Sequence, residues 1–129
     1  MTEATRFESQ DHGGIPTVEV VGDVDISNVD EFEIVLEAAA ARDTGVVVVS
    51  LARASYFDSR TIHVLYRFAD RLETNRQKMV IVAPSDGSAQ RILKITGLAN
   101  VVAHFSTLDE ALASGAQIVR RRTNGEYDA

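Results

Sequence analysis

The apolar positions of the chain fall first into a two-residue rhythm, then into a three-and-four rhythm, and the two alternate to its end. Residues Ala4 to Gln10 suit a strand, and Asp11-His12-Gly13-Gly14 supply turn chemistry in which two glycines permit positive φ, so a hairpin is expected. Ile15 to Val21 alternates and carries the β-branched Val18, Val20 and Val21, a second strand that ends at Gly22-Asp23-Val24-Asp25. The period then changes. Val29, Phe32, Leu36, Ala39 and Ala40 recur at helical spacing, which predicts a helix capped by Ser27 or Asn28 and running to about Arg42. Asp30 and Glu31 in its first turn favour the positive end of the helix dipole.

Gly45 separates that helix from Val46-Val47-Val48-Val49-Ser50-Leu51, where consecutive valines suit a strand covered on both faces. A linking stretch, Ala52 to Phe57, leads to Asp58-Ser59 and a second helix to about Asn75, with Ile62, Leu65, Ala69 and Leu72 turned inward. Lys78 to Ala83 is another strand, and Pro84-Ser85-Asp86-Gly87 a turn. A short third helix places Ala89, Ile92 and Leu93 inward and stops at Gly97. Val101 to Phe105 forms the last strand, and Thr107-Leu108-Asp109-Glu110 reads as a capping box opening a fourth helix through about Ala116 or beyond. Strand and helix alternating across short loops predict an α/β fold: a mainly parallel sheet of four to five strands, an antiparallel edge hairpin and about four helices. One domain, residues 1–129, is expected, with a core over about 4–117 and a basic, then polar, tail over 118–129.

Composition narrows the function. The chain has no cysteine, which removes disulfides, thiolate catalysis and Cys-rich zinc sites, and suits a reducing, cytoplasmic setting. Thirteen Lys and Arg against 19 Asp and Glu give a formal charge of −6, a poor basis for gripping nucleic acid by its phosphates. The basic triplet Arg120-Arg121-Arg122 reads as a solubilising helix end. No apolar run approaches the roughly 20 residues of a membrane-spanning helix, and Met1 to Gln10 lacks the pattern of a secretory signal, so no membrane role is expected.

Enzyme signatures are sparse. The sequence holds no GxxxxGK[ST] phosphate loop, no GxGxxG after a strand and no GxSxG elbow. His12, His63 and His104 include no pair at the spacing of helical metal ligands. Asp23, Asp25 and Asp58 are the nearest approach to a magnesium site, which needs only one or two protein carboxylates. Turn and cap chemistry is the preferred account of most of these acids. No resident cofactor is expected.

Two segments stand out on this architecture. Gly22-Asp23-Val24-Asp25-Ile26-Ser27 ends one strand and opens a helix, and Phe57-Asp58-Ser59-Arg60-Thr61-Ile62 opens the next helix. With parallel neighbouring strands, both meet at the carboxyl edge of the sheet, where α/β folds place function. Here the chain resembles the STAS family, in particular the bacterial anti-sigma factor antagonists. The resemblance rests on Gly22-Asp23-Val24-Asp25, on Tyr56-Phe57-Asp58-Ser59-Arg60-Thr61, on Thr96-Gly97-Leu98 and on Leu108-Asp109-Glu110-Ala111-Leu112, in order over about Thr17 to Ala113.

The resemblance implies a phosphorylation switch. In the family the serine after the aspartate is phosphorylated by an ATP-using anti-sigma factor kinase, and the unphosphorylated form binds that kinase and frees a sigma factor; the matching residue is Ser59. ATP would belong to the kinase, with a phosphatase as a further partner. Asp23, Asp25, Ser27, Asp58, Ser59, Arg60, Thr61 and His63 are the expected partner-contact residues. Taken on sequence physics, Ser59 reads as a helix N-cap beside unpaired N–H groups, a place that tolerates added charge. Arg60 and Thr61 depart from the family's usual Ser or Thr and Gly; Arg60 sets a cation beside the serine, and Thr61 forgoes a glycine's close backbone approach. Arg60, His63, Arg67 and Arg71 form an outward basic stripe, readable as a solvated face or as a contact for an acidic partner. The alternatives carried forward are a STAS scaffold or sensor subunit that works without phosphorylation, and a small metal-dependent hydrolase.

Overall fold

The chain was analysed as a computed structural model that describes residues 4–126. The strands are β1 (Arg6–His12), β2 (Ile15–Val24), β3 (Val46–Phe57), β4 (Lys78–Val82) and β5 (Ala103–Phe105), and the helices α1 (Val29–Ala40), α2 (Ser59–Thr74), α3 (Ser88–Thr96) and α4 (Leu108–Thr123). They form one sheet in the order β1-β2-β3-β4-β5, with β1 antiparallel to β2 and every later pair parallel. The expected mixed α/β sheet is what the residues build. Gly13 and Gly14 take φ of 64° and 91° in the β1–β2 turn, values that L side chains rarely adopt.

Alternation along the central valines sorts the core into two layers. Val47 and Val49 face the layer of α1, α2 and α3, packing with Phe32, Leu36, Leu65, Leu72 and Leu93. Val46 and Val48 face α4, with Ile15, Val80 and Ala111. A continuous valine run is therefore tolerated because both faces are covered. Gly115 lets α4 lie close to the sheet: a Cβ there would stand 3.4 Å from Ile15 Cδ1 and 3.5 Å from Val46 Cγ1. Phe7 of β1 stacks on Phe32 of α1 with ring centroids 5.1 Å apart, which ties the edge hairpin to the helical layer.

Several boundaries differ from expectation. β3 does not stop at Leu51 but continues to Phe57, because β2 pairs beside it as far as Val24, matching Gly22 with Ala54 and Val24 with Phe57 through two register shifts. α1 begins at Val29 and ends at Ala40, two residues before Arg42. α4 runs through the stretch expected to be a tail: Ile118 and Val119 pack on the second core layer, and Arg122 donates to the backbone and side chain of Asp43. The rest of the expected tail, 127–129, lies outside the described residues. Among the described residues no helix is long and apolar enough to cross a membrane.

Candidate functional site

β2 and β3 run in parallel and stop side by side, so their exit turns share one rim of the sheet. The two turns are cross-linked at the backbone, where the Asp58 N–H donates to the Val24 carbonyl at 3.3 Å. Asp25 and Asp58, each one residue beyond a paired strand end, thus come together as the sequence suggested.

In the first turn the Asp25 carboxylate accepts the Ser27 N–H at 2.9 Å and the Ser27 hydroxyl at 2.5 Å. The hydroxyl, and after it the backbone N–H, hold the Asp25 carboxyl below the usual carboxylate range. The Asp25 carbonyl accepts the N–H groups of Asn28 and Val29, which starts α1. Asn28 occupies the N-cap position without capping through its side chain; its amide instead bridges back, accepting from the Asp25 N–H at 3.0 Å and donating to the Asp23 carbonyl at 3.0 Å. The same Asp23 carbonyl accepts the Thr5 hydroxyl at 2.7 Å.

The second turn corrects one expectation. The N-cap of α2 is Asp58, not Ser59: Asp58 has extended backbone (φ −92°, ψ 178°), and its carboxylate accepts the Thr61 N–H at 3.0 Å. The Thr61 hydroxyl donates to the same oxygen at 2.9 Å. Ser59 is the first helical residue, exposed, and its hydroxyl has no hydrogen-bond partner among the described residues. Asp58 wins the cap because β3 remains paired up to Phe57, which fixes the extended backbone at the very next residue. Thr61 is 0% exposed, sealed beneath the turn, and offers no surface to a partner. Arg60, His63 and Ser27 are exposed, while Asp23, Asp25 and Asp58 are half-buried.

The basic stripe on α2 is largely spoken for. Arg60 reaches Asp30 at 3.5 Å, Arg67 reaches Glu33 at 3.1 Å, and Arg71 pairs with Glu37, three rungs between α2 and α1. Among the described residues no group of three or more His, Asp or Glu is placed to hold a metal ion, so Asp23, Asp25 and Asp58 do not form a three-carboxylate cluster. Two residues of the rim escaped sequence reasoning: Ile26 is 74% exposed between the two turn residues Asp25 and Ser27, and Tyr56 is 52% exposed at the end of β3. The available signal was Ile26 itself, a large apolar residue in a tight turn with no alternating neighbour to draw it inward.

Comparison with known proteins agrees with this geometry. The family model described as STAS domain matches residues 6–111. Among solved structures, an anti-sigma factor antagonist from Mycobacterium paratuberculosis has a TM-score of 0.78 at 24% identity, over 88% of this chain and 95% of that one. The unphosphorylated anti-sigma factor antagonist SpoIIAA has a TM-score of 0.64 at 12% identity, covering 88% and 98% of the two chains. The Bacillus cell fate determinant SpoIIAA in its phosphorylated form has a TM-score of 0.63 at 17% identity, covering 86% and 98%. No curated protein sequence matches the chain.

Proposed function

Because the chain belongs to the STAS domain family, we propose that it is an anti-sigma factor antagonist that binds an anti-sigma factor kinase in its unmodified form and lets go when Ser59 is phosphorylated. The observation that carries this reading is the division of labour at the second turn: Asp58 and Thr61 hold the start of α2, while Ser59 stands exposed with an unused hydroxyl. A phosphate there brings roughly −1.5 to −2 charges to a helix N-terminus, which accommodates an anion, and disturbs no bond that the fold uses. It also adds negative charge next to Asp58, on the rim that carries the half-buried Asp25, so a partner surface fitted to a neutral serine meets repulsion and unpaired desolvation.

The chain works by binding: ATP and the transfer chemistry reside on the kinase, and a phosphatase would reset the switch. Ile26 and Tyr56, on the two turns of the same rim, supply exposed apolar area that gives a partner something to bury. Arg60, weakly engaged by Asp30 at 3.5 Å, gains a stronger acceptor once a phosphate sits one residue away. The resemblance of fold to anti-sigma factor antagonists supports the same role.

The test is incubation of the protein with candidate anti-sigma factor kinases and ATP, followed by localisation of phosphate by mass spectrometry. Phosphate on Ser59 is expected; modification confined to another residue would refute the assignment. Ser59→Asp should weaken kinase binding by at least about tenfold, near 1.4 kcal/mol, with Ser59→Ala binding like the parent protein.

A further inference from the structure

A concavity lies on the α4 side of the sheet, and Ser59 is not among its lining residues. Beyond the reach of α4, the sheet face turns from apolar to polar: Gln10 stands opposite Thr17, Glu8 opposite Glu19, and Glu19 beside Ser50, across β1, β2 and β3. The loop entering α4, Ser106 to Leu108, walls off the far side and encloses a cavity of about 280 Å3. Three features set it apart from ordinary surface.

Thr17 lines the cavity, is 4% exposed, and its hydroxyl is buried with no hydrogen-bond partner among the described residues. An unmatched buried hydroxyl is disfavoured, and valine would fill the same volume without that cost. A single χ1 step carries its hydroxyl to another staggered position, which lets the hydroxyl turn to a bound molecule. Ser50, 5% exposed, has its Oγ 3.5 Å from the Ala52 N–H, a contact at the limit of a hydrogen bond. Finally, Glu8 and Glu19 are like charges directly opposite one another, an unfavourable cross-strand pair, held together by Arg53 at 4.0 and 3.6 Å and by Arg6 on Glu8.

The chemistry selects an occupant. The two carboxylates are matched by two guanidinium groups, so the cavity has acceptors in excess but no net charge to draw a cation. The adjacent helix start disfavours an anion: the capping box takes the Thr107 and Glu110 N–H groups, and Asp109 and Glu110 put two carboxylates in the first turn. Hydroxyls and carboxylates ring an apolar floor of Ala52 and Val82, the complement of a molecule with hydroxyl edges and a C–H face. The volume, about 280 Å3, falls just below the roughly 300 Å3 at which sites for drug-sized ligands begin, which limits the occupant to a small molecule. We propose that this cavity binds a small uncharged polyhydroxylated compound, a polyol or a monosaccharide.

The test is an amide-resolved NMR titration of the unmodified protein with myo-inositol and with glucose, each at millimolar concentration, with putrescine as the cationic probe. Saturable shifts are expected for at least one of the two polyhydroxylated probes, grouped on Gln10, Thr17, Ser50, Ser106 and Thr107. Thr17→Val should abolish saturation while the thermal midpoint holds or rises, and Ser50→Ala should weaken binding at least threefold. No saturation with either polyhydroxylated probe, undiminished binding by Thr17→Val, or tighter saturation by putrescine would each overturn the assignment. A long-lived water on Thr17, with no response to either compound, would show hydration alone and overturn it as well.

Discussion

The two exit turns of β2 and β3 are built from the same kinds of residue and come out opposite. Each sets an aspartate just past a strand end and a serine within two residues of it. In the first, Asp25 takes both the backbone N–H and the hydroxyl of Ser27, and the serine is consumed by the turn. In the second, Asp58 takes the backbone N–H and hydroxyl of Thr61 instead, leaving Ser59 with nothing to do for the fold. A hydroxyl can carry a switch only if the structure does not need it. The difference comes down to which residue the carboxylate spends itself on, and Thr61 is the residue that relieves Ser59.

The sharpest way to break this contrast is to remove the aspartate that makes it. Asp58→Ala deletes the cap of α2 and leaves the buried Thr61 hydroxyl only its long contact with the Val24 carbonyl at 3.4 Å, so stability should fall by about 1–2 kcal/mol in urea unfolding. Thr61→Val keeps the volume and the cap residue but loses one donor, and should cost about 0.5–1.5 kcal/mol. Ser59→Ala in the same assay should stay within about 0.5 kcal/mol of the parent, as for exposed positions that make no bond. A large loss in Ser59→Ala would mean that the serine supports the helix after all.

Much of this arrangement was readable from the sequence, and the parts that were not share a cause. Element types and order followed from periodicity, because each apolar stripe has only one way to be buried. The choice between Asp58 and Ser59 as the cap did not follow, since both are good N-cap residues. It was settled by β3 remaining paired beyond Leu51, which the mixed run Ala52 to Phe57 does not announce. Likewise the stripe of Arg60, Arg67 and Arg71 was visible, but its partners Asp30, Glu33 and Glu37 are spaced three and four apart rather than seven and four and do not announce the pairing. Only the adjacency of α1 and α2 turns two stripes into one ladder. Thr17 gave no sign at all: on a β-branched strand it reads as one more strand former.

The ladder contributes less than its regularity suggests. All three arginines are more than half exposed, and such pairs are worth about 0.2–1 kcal/mol each, less in salt. Arg67→Ala should therefore lower the urea midpoint slightly at low ionic strength and hardly at all in high salt. Arg60→Ala should change stability least, because its rung is the longest and Asp30 the most exposed acid of the three. A loss in Arg60→Ala that exceeds that in Arg67→Ala would place the helix contact, rather than the rim, as the main business of Arg60.

The smallest effect falls on the first turn and concerns its titration. Hydrogen bonds from Ser27 favour the charged Asp25, so its folded carboxyl titrates below its unfolded value of about 3.9. A depressed carboxyl contributes stability that is fully present above the unfolded value and is lost as pH falls through the folded one. The turn should thus be indifferent to pH near neutrality and loosen only in acid. Carboxyl NMR should find the Asp25 midpoint below that of an unfolded peptide, and Ser27→Ala should raise it, since the serine hydroxyl is the larger influence and only the backbone N–H bond would remain. An unchanged midpoint in Ser27→Ala would mean that the hydroxyl is not held by Asp25. Ser27 would then be as available for modification as Ser59, and the contrast between the two turns would be lost.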